Sequence, residues 1–115
     1  MSDINKLRDQ LREFARERDW DKFHSPKNLA MALSVEASEL LEHFQWLTEE
    51  QSSNLSPEKR QQVAEEMSDI LVYLIRLADK FDVDLLEQTR AKLKKNALKY
   101  PADKVKGSAK KYNEY

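Results

Sequence analysis

The sequence predicts an all-α fold: a bundle of four helices that assembles as a homo-oligomer. Three observations carry that expectation. The 115 residues include one glycine and three prolines, too little turn material for hairpins or a Gly-rich phosphate loop. Apolar residues recur at three- and four-residue spacings along four separate stretches. The third stretch carries apolar residues on more faces than one chain of this length can cover, with Ile70, Leu74 and Leu77 competing against Leu71, Ala78 and Phe81.

Ser2 is placed to cap a first helix that carries Ile4, Leu7, Leu11 and Phe14 and runs to about Arg18. The stretch DWDKFHSPKN breaks the period. Within it, Ser25 and Pro26 supply a cap and a first-turn proline for a second helix reaching about Trp46. TEEQSSNLS reads as a polar connector, and Ser56-Pro57-Glu58 repeats the start signal. The third helix then runs to about Phe81, with Val63, Met67, Ile70, Leu71, Leu74, Leu77 and Ala78 as its expected buried face. After a short DVD turn, a fourth helix covers about Leu85 to Lys99, and Pro101 stops it. Residues 1–100 are thus expected to form one domain, and 101–115 a basic tail without a period of its own.

Composition narrows the chemistry. The absence of cysteine excludes disulfides, thiolate zinc sites and a cysteine nucleophile. The polar N-terminus does not resemble a signal peptide, and no apolar run approaches ~18 residues, so a cytoplasmic protein without a membrane span is expected. The net charge of −1 hides a segregation. Nine acids and two bases lie between Val35 and Asp69, against nine bases and one acid between Arg90 and Lys111. An acidic middle and a basic end suit a site that holds a cation and a polyanion together; a solvated lysine-rich tail is the alternative. The near-neutral total argues against stable nucleic-acid binding.

The acids are not scattered. Glu36 and Glu39 stand three apart in VEASELLEHFQW, and Glu66 and Asp69 repeat the spacing in EEMSDILVYL. On a helix such pairs lie one turn apart on one side, here beside the apolar faces of the two most apolar helices. Antiparallel packing of those helices would bring four carboxylates into one cleft. Like charges at that range repel unless a cation sits among them, and an all-oxygen donor set suits magnesium or manganese. Ordinary helix-surface charge is the alternative. Asn28, His43 and Trp46 share the side of the first pair, and Tyr73 lies one turn beyond Asp69, so aromatic rings flank the acids. Each ring could equally cap or fill the core. Lys92, Asn96 and Lys99 form a further stripe able to neutralise phosphate oxygens.

In their order along the chain these motifs resemble a known family. E36-x-x-E39 followed by E66-x-x-D69 is similar to the signature of the all-α NTP pyrophosphohydrolases, the MazG-like superfamily. RDWDKFHSPKNLAMAL, FQW, EEMSDILVYL and the closing K-x-x-x-N-x-x-KYP resemble its dCTP pyrophosphatase branch. The resemblance implies a MazG-like bundle that binds magnesium through Glu36, Glu39, Glu66 and Asp69. It implies hydrolysis of a nucleoside triphosphate between the α and β phosphates, with pockets between the subunits of a homodimer or homotetramer. It also implies that Trp20, Asp21, Lys22, Phe23, His24, Trp46 and Tyr73 hold the base, and that Lys92 and Asn96 lie near the phosphates. Three positions depart from the branch: His43 stands for an apolar residue, Lys99 for an arginine, and Leu11 for a histidine found in some relatives. Glu39 is the expected proton acceptor for the attacking water.

Two other classes fit less well. A di-iron bundle requires Glu-x-x-His pairs, and the residues three before His24 and His43 are Asp21 and Leu40. A non-catalytic helical interaction module would tolerate loss of all four acids.

Overall fold

A computed structural model describes residues 2–107, and among these every regular element is helical. In chain order they are α1 (Asp3–Glu17), a 3-10 turn (Asp21–Phe23), α2 (Pro26–Glu42), α3 (Glu49–Ser52), α4 (Pro57–Lys80), α5 (Leu85–Lys99) and α6 (Ala102–Val105). The caps are those the sequence announces. The hydroxyls of Ser2, Ser25 and Ser56 accept from the backbone N–H of Asn5, Asn28 and Lys59 at 3.1, 3.1 and 3.2 Å. Pro26 and Pro57 occupy the first turns, where no intrahelical N–H is needed.

Three boundaries differ from expectation. α2 ends at Glu42, and the chain to Leu47 continues as tight turns, so Trp46 lies beyond the helix. The polar connector holds α3, a single turn that Thr48 and Gln51 close with a reciprocal capping box. Pro101, having ended α5, caps the four-residue α6. The basic tail beyond Gly107 lies outside the described residues.

The chain divides into two compact units, one up to Asp82 and one from Val83 onward. In the first, α2 packs along α4 and α1 packs on α4 less extensively. Their interior is small: Ala15, Leu29, Val63, Ile75 and Ala78 are its buried apolar residues. Of the seven apolar residues expected inside on the long helix, Val63 and Ala78 are buried, whereas Met67 (55% exposed), Leu71 and Leu74 are not. Ile75 and the charged Arg76 are buried instead. The reason is length: α4 has 24 residues, about 36 Å, against 17 for α2 and 15 for α1, so the shorter helices leave much of its apolar face open.

Met31, Val35 and Leu41 of α2 are exposed too. So much uncovered apolar surface predicts self-association in solution. Light scattering should return a multiple of the 13.6 kDa chain mass at micromolar concentration; a monomer mass would refute the expectation.

Candidate metal and nucleotide site

The capped starts of α2 and α4 place two carboxylate pairs facing one another. Glu36, Glu39 and Glu66 each offer an oxygen, and these atoms all lie within 4.8 Å of one another. Asp69, one turn beyond Glu66, lines a cleft with Glu36 and adds its charge. Glu36 Oε2 and Glu66 Oε2 are buried without a hydrogen-bond partner. His43 lies beside them, with Nε2 4.0 Å from Glu66 Oε1. Burial, then the neighbouring carboxylates of Glu39 and Glu66, push the Glu36 carboxyl up to about 7.

Crowded, partly buried oxygens without partners are what a hard divalent cation satisfies, so the residues present fit such an ion. The raised Glu36 value has a consequence for stability. Between its ordinary value of 4.5 and about 7, folded protein keeps a proton that the unfolded chain has released. That stabilisation is complete below 4.5 and is lost as pH rises towards 7. His24, whose burial lowers its pKa from 6.5, pulls the other way below that pH. Melting curves of wild type and Glu36→Gln in chelator isolate the carboxylate. The wild type should lose ground to the variant between pH 5 and 7, and a constant difference would contradict the site electrostatics.

The wall opposite the acids begins at the end of α1. Asp19 adopts φ 55°, a left-handed conformation that aspartate tolerates better than most side chains. Its N–H bonds Arg16 O at 3.1 Å, and Trp20 N–H reaches back to Ala15 O at 2.9 Å, which closes a Schellman motif. The reversal sets Trp20 edge-on against Phe14, with ring centroids 5.7 Å apart. The 3-10 turn follows, and Asn28 Nδ2 donates to Phe23 O at 3.0 Å, tying the turn to α2. Between this wall and α4 opens a cleft of about 400 Å³. Trp20, His24, Glu36, Asp69, Tyr73 and Arg76 line it, together with Leu11, Phe14, Ala15 and Val72.

The structure therefore gathers the acids, Trp20, His24 and Tyr73 in one place. Asp21, Lys22, Phe23 and Trp46 of the same unit do not line this cleft. Asp21 engages Arg76, whose Nη2 donates to Asp21 Oδ1 at 2.5 Å, so its carboxylate helps anchor the 3-10 turn. That guanidinium also holds the Asp21 carboxyl below its ordinary range. Lys22 pairs with Asp19 at 3.0 Å, Phe23 is exposed, and Trp46 is 86% exposed. Lys92 and Asn96 lie on α5, in the second unit.

Sequence reasoning missed Arg76. It is 4% exposed, and its neighbour Asp79 is chelated by Arg12 of α1 at 2.7 and 2.5 Å. The available signal was a lone arginine inside the apolar run LVYLIRLA, in register with Asp69 and Tyr73.

A profile of the MazG-like family matches residues 31–115. The chain belongs to the MazG-like family. Among MazG-like relatives, dCTP pyrophosphatase 1 of Bos taurus is 43% identical over 116 residues, 99% of this chain and 67% of that protein. The Homo sapiens protein of the same name is 42% identical over 99% of this chain and 66% of its own length. The chain thus spans about two thirds of the length of these relatives. A crystal structure of a pyrophosphatase from Archaeoglobus fulgidus matches with a TM-score of 0.82 and 39% identity, over 88% of this chain and 94% of that one.

Proposed function

We propose that this protein hydrolyses a deoxynucleoside triphosphate, dCTP or a base-modified dCTP, to the monophosphate and pyrophosphate in a magnesium-dependent reaction. At the coarser level the chain is a nucleoside triphosphate diphosphatase, in line with relatives named dCTP pyrophosphatase 1 and a structural neighbour named a pyrophosphatase. The observation that carries the finer reading is the cluster of Glu36, Glu39 and Glu66 opening, through Asp69, onto a cleft walled by Trp20 and Tyr73. Acids and aromatic rings lining one cleft match a ligand with a phosphate chain and a flat base.

Glu36, Glu39, Glu66 and Asp69 would hold the cation. When bound, it offsets phosphate charge and helps align water for in-line attack. The chain's own residues do the rest. Glu39 accepts the proton of the attacking water. Trp20 and Tyr73 flank the base and shed water from it. Lys92 and Asn96 are proposed to reach the phosphates, and Trp46 the base, once subunits assemble as a homodimer or homotetramer. A cytoplasmic setting suits a substrate drawn from the nucleotide pool, and among the described residues no helix is long and apolar enough to cross a membrane.

The crowded carboxylates, with Glu36 raised among them, argue against a purely structural module, which has no need of them. The test is pyrophosphate release from a panel of deoxy- and ribonucleoside triphosphates, with magnesium, manganese or chelator. Preference for dCTP with a divalent ion is expected. Absence of release from every triphosphate would overturn the reading.

A further inference from the structure

Arg76 Nη2 lies 3.2 Å from His24 Nδ1. A guanidinium only donates, so a hydrogen bond at this contact requires Nδ1 as the acceptor, bare of a proton. An imidazole held in that way is neutral, with its proton on Nε2. The same Nη2 bonds Asp21 Oδ1, three residues before His24, so both ends of the 3-10 turn are pinned by one buried side chain. Asp79 Oδ2 lies 4.0 Å from Arg76 Nη1 and is itself chelated by Arg12, which leaves the guanidinium little room to move. His24 lines the cleft, and with Nδ1 occupied its Nε2–H is the polar group it has left to offer there.

We infer that Arg76 is a positioning residue that locks His24 as a hydrogen-bond donor to the cleft, and that the ligand must meet it with an acceptor such as cytosine O2 or N3. This deepens the function proposed above and rests on the base occupying this cleft. The groups facing the ring are consistent with the neutral form: burial lowers the His24 pKa, Arg76 and Lys80 of α4 lower it further, and Asp21 alone opposes them. A site with a fixed, partly buried donor penalises any ligand edge that cannot pair with it, which turns a tautomer into selectivity.

Imidazole ¹⁵N NMR of metal-free protein at pH 7, assigned with His24→Gln, reads the tautomer directly. A bare Nδ1 and a protonated Nε2 are expected, and adding dCMP should shift the Nε2–H resonance. In Arg76→Leu the protonation midpoint of His24 should rise, KM for the preferred triphosphate should increase by about 10-fold, and kcat should stay within about twofold. A proton on Nδ1 in the wild type, or an unchanged KM in a folded Arg76→Leu, overturns the inference. If Arg76→Leu does not fold, the wild-type tautomer and the dCMP shift decide it. Wild-type protein that turns over no triphosphate, yet shows the dCMP shift, sinks the proposed reaction while upholding the role of Arg76.

Discussion

Glu39→Gln is expected to lower turnover by about 100-fold or more while the protein remains folded. The substitution keeps the side-chain volume and removes one charge from a group whose oxygens lie within 4.8 Å of one another. A carboxamide neither accepts the proton of an attacking water nor contributes charge to a bound cation, and loss of a general base costs about 10²–10⁴ in rate. The fold survives because the lost charge is one that repels Glu36 and Glu66. Relief of that repulsion should also let the Glu36 pKa fall from about 7 towards its ordinary range. Steady-state kinetics with magnesium and a melting curve on one preparation make the test. Wild-type turnover in the folded variant would dismiss both the metal-ligand and the base roles of Glu39.

Trp46→Ala is expected to raise KM by roughly 5- to 150-fold with little change in kcat, the range that ~1–3 kcal/mol of base stacking supplies. Stacking is similar in ground and transition states, so it acts on binding rather than on the chemical step. Trp46 is 86% exposed, in the turns that follow α2, and does not line the cleft with Trp20 and Tyr73. In the single chain it buries too little to cap the core, so truncation should leave the stability of the chain's own fold unchanged. Kinetics, melting temperature and light scattering on the variant separate the remaining roles. An unchanged KM rules out base stacking, and a fall in oligomer mass together with melting temperature would make Trp46 an interface residue instead.

Much of this was legible in the residues because its causes are local. Ser-Pro starts, a proline stop and three- and four-residue apolar spacing act within a few positions, so the four principal helices could be read directly. The acidic pairs are local too, since a three-residue spacing puts both members of a pair on one side of any helix. Boundaries were less legible where short-range bonds compete. The chain could have stayed helical to Trp46, and Thr48 and Gln51 could have remained a plain loop, because the energies separating those outcomes are small.

The sequence by itself determined an all-helical MazG-like chain and the two E-x-x-E/D stripes that mark its candidate site. Only the tertiary structure decided that Glu36, Glu39 and Glu66 meet, and that their meeting burdens Glu36 with a proton near neutral pH. It also decided that α1 and α2 leave Met67, Leu71 and Leu74 uncovered, and that Arg76 reaches across 52 and 55 residues to His24 and Asp21. The physical reason is range. Capping and periodicity are set by neighbours along the chain, whereas desolvation and charge depend on distance in space, which no spacing within one helix specifies.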